Sequence, residues 1–192
     1  MIRAARATAV LAVLTGLIYP LLMTGIAQIA FGHRAEGSLI EVDGRPVGSA
    51  LIGQEWNGPR WFYGRPSAIS SPYDASTSSG SNLGPLSQEL ADEIGKRVEA
   101  ILELEGPYRL GLTASQIPVD LVTASASGLD PDITPAAAMF QAPRIAAVRD
   151  LALADVERLV DRLTEGRTLG VLGEPRVNVL QLNLALDGLT RG

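Results

Sequence analysis

From Ala7 to Gly32 the chain runs for 26 residues without a charged side chain, and most of these residues are apolar. As a helix the run spans about 39 Å at ~1.5 Å per residue, against roughly 30 Å for the hydrocarbon core of a bilayer. The pattern predicts a short N-terminal segment over 1–6, one transmembrane helix over 7–32 and a single soluble domain over 33–192. A cleaved signal peptide is the alternative. Its apolar core is usually about 7–15 residues and ends on a small-x-small site, which Ala27-Gln28-Ile29-Ala30 matches poorly. Pro20 should kink the helix, and a neighbouring helix or a hydroxyl should satisfy the carbonyl that it frees. Thr15, Gly16, Tyr19, Pro20, Thr24 and Gly25 form the candidate packing surface, because small and hydroxylated residues let another helix approach closely.

Beyond the run, the patterning becomes that of a mixed domain. Leu39-Ile40 and Ala50-Leu51-Ile52 read as short strands around turns such as Asp43-Gly44. Trp61-Phe62-Tyr63 reads as a strand cluster bound for the core, with a partner surface as the alternative. Leu90, Ile94, Val98, Ile101 and Leu102 repeat at helical spacing and predict an amphipathic helix from Ser87 to Glu105, stopped by Gly106-Pro107. Val119 to Thr123 reads as a buried strand. Thr134-Pro135 is a helix start, with a hydroxyl cap followed by proline at the first helical position. That helix should reach about Arg149, bent or split by Pro143. Another follows from about Ala154 to Glu165, with Val156, Leu159, Val160 and Leu163 as its apolar face and Gly166 at its end. Leu169 to Leu172 reads as a strand. Asn178 to Leu186 fits a helix capped by Asn178, although its leucine alternation also suits a strand. The fold class expected is α+β, with short strands and about four helices in the soluble domain, attached to a single N-terminal transmembrane helix.

Charge adds a topology. Arg3 and Arg6 precede the run, whereas Arg34 on the far side is followed closely by Glu36, Glu41 and Asp43. Positive charge favours the cytoplasmic flank, so the N-terminus is expected inside and the domain outside. Of 16 Lys and Arg, Arg3 and Arg6 lie ahead of the domain; the remaining 14 face 21 Asp and Glu, a net charge of −7 over 34–192. Such a domain is a poor partner for nucleic acid, whose affinity comes from cations on phosphates.

The inventory of chemistry is thin. There is no cysteine and one histidine, His33 at the membrane edge. Disulfides, thiolate sites and a Ser-His-Asp triad are therefore excluded. No phosphate-binding or dinucleotide-binding glycine motif is present. Asp130 and Asp132 could act as an acid–base or cation pair, but the surrounding Gly128, Pro131 and Pro135 favour a turn and helix entry. Ser67 to Pro85, rich in Ser, Gly, Asn and Pro, reads as a long loop, either plain surface or a functional cradle.

Several blocks in order resemble one family. They are Thr15-Gly-Leu-Ile-Tyr-Pro20, Gly48-Ser-Ala-Leu-Ile-Gly-Gln54, Gly64-Arg-Pro-Ser67 and Ser79-Gly-Ser-Asn-Leu-Gly-Pro85. Further on come Pro118-Val-Asp-Leu-Val-Thr-Ala-Ser125, Ser127-Gly-Leu-Asp-Pro131, Gln141-Ala-Pro-Arg144 and Gly173-Glu-Pro-Arg-Val-Asn-Val-Leu180. From about residue 10 to 188 the chain resembles the KdpC family, the small subunit of the Kdp potassium-transporting P-type ATPase.

The resemblance implies a single-pass inner-membrane subunit, not an enzyme by itself, of a bacterial K⁺ pump. Its implied partners are a K⁺-channel-like A subunit, an ATP-hydrolysing B subunit, a small F subunit and membrane lipid. It implies no firmly bound cofactor: K⁺ is transported by the complex, and ATP is reached through the complex. It further implies a role in assembly and stability, and as a catalytic chaperone for ATP use by the B subunit. Polar residues inside the blocks become candidate partner-interface or nucleotide contacts: Gln54, Arg65, Ser67, Ser79, Ser81, Asn82, Ser125, Ser127, Asp130, Gln141 and Asn178. A domain outside the cytoplasm cannot reach cytoplasmic ATP, so the expected topology favours the structural role. Without the resemblance, the competing classes are a membrane-anchored periplasmic binding module or hydrolase, and a nucleotide-binding regulatory subunit.

Overall fold

A computed structural model describes residues 1–190, which fall into two compact units divided between Ser49 and Ala50. The domain end expected at residue 192 lies outside the described residues.

In the first unit, helix α1 (Ile2–Ala35) is long and apolar enough to cross a membrane, and none of its most apolar stretch is buried within the chain. It extends the expected span at both ends. Its treatment of Pro20 differs from expectation. Pro20 cannot donate to the Gly16 carbonyl four residues earlier, and its ring crowds that carbonyl. The helix responds by widening: Leu14–Ile18 is π-helical, and the Tyr19 N–H donates to the Leu14 carbonyl five residues back. The hydroxyls are used elsewhere. Thr15 Oγ1 donates to the Leu11 carbonyl at 2.7 Å, and Thr24 Oγ1 donates to the Pro20 carbonyl at 2.8 Å.

After α1, β1 (Leu39–Val42) pairs antiparallel with β2 (Arg45–Ser49). Asp43 and Gly44 both have positive φ, 52° and 73°, the geometry that a two-residue hairpin turn needs. That turn dictates that the second strand starts at Arg45, five residues before the expected strand at Ala50-Leu51-Ile52, which does not form.

The second unit contains α2 (Gln88–Glu105), β3 (Asp132–Ile133), α3 (Pro135–Arg149), α4 (Leu153–Leu163), β4 (Thr164–Glu165), β5 (Arg176–Asn178) and α5 (Val179–Thr190). The strands form a small antiparallel sheet in the order β3-β5-β4. Mixed α and β structure with four helices agrees with the fold class expected. The expected caps also agree: Thr134 Oγ1 accepts from Ala137 N–H at 3.1 Å, and Asn178 Oδ1 from Gln181 N–H at 3.1 Å; Ser87 Oγ adds a further cap by accepting from Leu90 N–H.

Helix α3 is the centre of the core. Ala137, Ala138, Phe140, Ala142, Ile145 and Ala146 are buried, and they cluster with Phe62, Ile133, Leu159, Val177 and Leu182. Pro143 does not split it; the helix runs unbroken to Arg149. The Met139 carbonyl, deprived of its helical donor by Pro143, accepts from Arg109 Nη2 at 3.2 Å, and Phe140 O accepts from Arg109 Nε at 3.0 Å. A side chain from outside the helix thus supplies the missing donor.

Three further strand expectations fail. Trp61-Phe62-Tyr63 is not in a strand, although Phe62 is wholly buried as its core assignment required. Val119–Leu121 is a 3₁₀ turn, which buries Leu121 and Val122 and leaves Val119 exposed. Leu169 to Leu172 forms the exposed tip of a hairpin. The helix expected to end at Gly166 ends at Leu163, because Thr164 and Glu165 pair with β5.

Candidate functional site

The segment from Pro59 to Tyr63 lies in no sheet, yet side chains bind every one of its carbonyls. Arg144 Nη1 donates to Pro59 O and, at 2.9 Å, to Trp61 O; Arg149 Nε donates to Arg60 O at 2.8 Å. Asn183 works as a surrogate strand: Oδ1 accepts from Phe62 N–H at 2.9 Å, and Nδ2 donates to Phe62 O at 3.0 Å. Gln141 does the same for Tyr63, at 2.8 and 3.1 Å. These amides replace the ladder bonds that buried backbone requires.

Arg144 is fully buried, and its Nε donates to the equally buried Glu105 Oε1 at 2.8 Å. The other oxygen, Glu105 Oε2, has no hydrogen-bond partner. Burial pushes the Glu105 carboxyl above its ordinary range, with Arg144 pulling the other way.

Arg65 organises the surface beyond this segment. Its guanidinium pairs with Asp130 Oδ2 at 3.1 Å and donates to the Thr123 and Ala124 carbonyls at 3.4 and 3.3 Å. It lines two shallow grooves. One, of about 320 Å³, brings Arg65 and Asp130 together with Asp120, Asp132, Glu174 and Arg176. The other, of about 260 Å³, joins Arg65 to Gln54, Ser67, Tyr73 and Arg97. The first contains four carboxylates and two guanidinium groups, so it does not suit a polyanion. In the second, Arg65 and Arg97 are both in ion pairs, Arg97 with Glu93 at 2.8 Å. Burial raises the Asp132 carboxyl against the pull of Arg176, and it raises the Tyr73 hydroxyl to about 12, with Asp130 and Glu55 adding to the effect.

The serine-rich loop is tied down. Ser67 Oγ donates to Gly128 O at 2.7 Å, Ser79 N–H to Ser127 O at 3.0 Å, and Ser125 N–H to Pro66 O at 3.2 Å. Ser125 Oγ accepts from Gly128 N–H at 2.9 Å, and Ser127 Oγ from Leu129 N–H at 3.1 Å. Ser81 Oγ faces Leu83 N–H within the loop, and the exposed Asn82 takes a left-handed φ of 54°. Asn178 Nδ2 donates to Ala50 O at 2.9 Å and to Asp132 Oδ1 at 3.2 Å. The structure thus brings Gln54, Arg65, Ser67 and Asp130 to the grooves, docks Ser79, Ser125 and Ser127 in the loop contact, and encloses Gln141 in the core. In the other unit, Thr15, Gly16, Tyr19, Pro20, Thr24 and Gly25 all lie exposed on α1, and a side chain at Gly16 or Gly25 would meet nothing within 4 Å.

Sequence reasoning missed Glu105, Arg144 and Asn183. A signal for Arg144 existed. From Ala136 to Val148 the only polar side chains are Gln141 and Arg144. A helix that is apolar all round is buried, so its two polar residues needed buried partners. Among the described residues, no group of three or more His, Cys, Asp and Glu could hold a metal ion.

Among the described residues, one apolar helix long enough to cross a membrane precedes an α+β unit, an arrangement consistent with a membrane-anchored subunit. The family model of the K⁺-transporting ATPase c chain matches residues 1–188. The chain is 54% identical over 186 residues to the potassium-transporting ATPase KdpC subunit of Paraburkholderia phytofirmans, covering 96% of this chain and 94% of that protein. It is 57% identical over 182 residues to the KdpC subunit of Sorangium cellulosum, covering 93% and 92%, and 55% identical over 179 residues to that of Herpetosiphon aurantiacus, covering 93% and 90%. The chain belongs to the KdpC family, the c chain of the K⁺-transporting ATPase.

Proposed function

We propose that this chain is the non-catalytic C subunit of a high-affinity ATP-driven K⁺ transport complex. It is anchored in a bacterial inner membrane with its N-terminus in the cytoplasm and its soluble domain outside. The observation that carries this reading is the family match over residues 1–188, together with one candidate span among the described residues. The exposed α1 surface packs against the K⁺-channel-like A subunit. The soluble domain covers or steers the outer ion entrance, and its net charge of −7 acts on K⁺ as a mild bias, screened over a Debye length of about 8 Å at physiological salt.

Support for ATP use by the B subunit then runs through the assembled complex, with no direct contact to nucleotide. A subunit that binds one pump conformation more tightly shifts the population towards it. The acidic groove and the paired Arg65 and Arg97 favour this over a nucleotide site in the domain.

The test is affinity purification of the tagged chain from mild detergent, followed by a K⁺-stimulated ATPase assay. Two larger subunits and K⁺-stimulated activity are expected; a chain that purifies alone refutes the reading. A phosphatase reporter active only outside the cytoplasm, fused after Gly192, should be active. Deleting residues 35–192 should leave partial assembly and impaired uptake, and full high-affinity uptake by that truncation would refute the role of the domain.

A further inference from the structure

Asparagine is among the chemically labile side chains, and its lability depends on the residue that follows it and on what the fold does with both. Of the four asparagines in the chain, Asn57 alone precedes a glycine. The others differ in use or in neighbour. Asn178 caps α5 and binds Ala50 O, and Asn183 is fully buried with both amide atoms on Phe62. Asn82 is exposed, but the side chain of Leu83 crowds the backbone nitrogen that follows it.

Asn57 and Gly58 are both exposed and lie in no helix or strand. Among the described residues, no hydrogen bond engages the Asn57 side-chain amide or the Gly58 N–H. The Gly58 carbonyl, by contrast, is held. It accepts from Tyr63 OH at 2.9 Å and from Trp61 N–H at 3.4 Å. Gly58 has a φ of 92°, a region open to glycine, and a Cβ there would meet nothing within 4 Å. A solvated carboxamide thus adjoins a backbone nitrogen that is neither bonded nor shielded by a side chain.

We propose that Asn57 is a site of spontaneous covalent modification in the folded protein, in which the Gly58 nitrogen attacks the Asn57 side-chain carbonyl and the cyclic imide formed opens to aspartate and isoaspartate. In the first step hydroxide removes the Gly58 amide proton, the nitrogen bonds to Asn57 Cγ, and the Cγ–Nδ2 bond breaks. Nδ2 leaves as ammonia, taking a proton from water and returning hydroxide. In the second step a water molecule adds to a carbonyl of the ring. Opening at Cγ restores the ordinary main chain and leaves aspartate. Opening at the main-chain carbonyl leaves isoaspartate, with the chain running through Cβ and Cγ. An amide and a water are consumed, a carboxylic acid and ammonia are released, and nothing is oxidised.

Both products carry a new carboxylate, ionised above about pH 4. Isoaspartate also lengthens the main chain by one carbon just before Pro59. The Gly58 carbonyl is fixed by Tyr63 and the Pro59 carbonyl by the buried Arg144. The added length is therefore absorbed on the Trp56 side, where the Trp56 ring lies 4.8 Å from that of Trp61.

The test incubates the full-length protein in mild detergent at neutral and mildly alkaline pH, folded and in urea, and maps its peptides by mass. Conversion at Asn57 should precede that at Asn82, Asn178 and Asn183, should proceed in the folded protein as readily as in urea, and should quicken with pH. Asn57→Gln, whose extra methylene disfavours the ring, should lose the product. Conversion confined to urea, or occurring first at another asparagine, overturns the proposal, as does the same product yield in Asn57→Gln. Asn57→Asp carries the charge without the longer chain, so the isoaspartate form should unfold at lower urea than this variant, read by tryptophan fluorescence. Equal midpoints would overturn the strain assigned to the Trp56 side.

Discussion

Replacing Arg144 with leucine tests whether one buried side chain holds the Pro59–Tyr63 segment. Arg144 is fully buried and contacts Glu105, Pro59 O, Trp61 O and Gln141 Oε1. Removal strands a buried carboxylate whose second oxygen already lacks a partner. It also frees two carbonyls. Breaking a buried ion pair from one side costs about 3–5 kcal/mol, a large part of the roughly 5–15 kcal/mol stability of a domain. Removing Glu105 as well, in Arg144→Leu/Glu105→Leu, eliminates the orphaned charge but leaves the carbonyls of Pro59 and Trp61, at about 1–3 kcal/mol each. The double variant should therefore be more stable than Arg144→Leu and less stable than the wild type. The assay is urea unfolding of the full-length protein in detergent, followed by tryptophan fluorescence. The only two tryptophans, Trp56 and Trp61, lie with ring centres 4.8 Å apart, so the signal reports on this region. A loss below about 1 kcal/mol for Arg144→Leu, or single losses that simply add in the double variant, would refute the reasoning.

Further outcomes follow from neighbouring features. Because burial raises the Glu105 carboxyl above the ordinary 4.5, its contribution to stability is present below that value and declines as pH rises towards the raised folded value. Glu105→Gln removes that slope, so denaturant titrations across this window should show the variant gaining on the wild type as pH rises. Arg109→Leu should cost about 1–3 kcal/mol by leaving the Met139 and Phe140 carbonyls without their side-chain donor, and less in a Pro143→Ala background, where the helix supplies its own donor to Met139 O; equal losses in both backgrounds, read as unfolding midpoints, would contradict this. Gly53→Ala should destabilise by about 2 kcal/mol or more, since its Cβ would fall 2.6 Å from the Asp130 carbonyl oxygen and collide with the Tyr73 ring; an unchanged melting temperature would argue against that packing. Asn178→Ala, losing the α5 cap and the bond to Ala50 O, should cost about 1–2 kcal/mol in the same unfolding assay.

Local signals carried much of the fold. Thr134 and Asn178 announced two helix starts because a capping side chain acts within four residues of itself. Signals that depended on a distant partner misled. Pro143 implied a bent or split helix, since nothing nearby in sequence suggested that Arg109, thirty residues before Met139, would bind the Met139 carbonyl. The β-branched run at Val119–Thr123 implied a strand, but with Asp120 Oδ2 accepting from Thr134 N–H at 2.8 Å the backbone closes into a turn instead. Leu169–Leu172 implied a strand because a short apolar run suits one, but these residues form the exposed tip of a hairpin instead. Polar residues of the family blocks were legible as special and illegible in role. Ser67, Ser125 and Gln141 satisfy backbone groups of loops that no sheet reaches.

That distribution of polar groups bears on how a subunit of this kind can act. An α+β unit with a three-stranded sheet of very short strands has little ladder with which to order its long connections. It orders them with Arg144, Asn183, Gln141 and the serine contacts. Freezing the loops before assembly lowers the conformational entropy that must be lost when a partner binds. The features left unsatisfied are then the informative ones: an exposed apolar helix with open glycines in one unit, and a hairpin with an exposed aliphatic tip in the other. Both are apolar and both are pre-shaped, which fits a chain that stabilises one arrangement of larger partners. Weakening the internal locks, as in Arg144→Leu, should then reduce retention of the complex even when every exposed residue is intact, and unchanged retention would refute this.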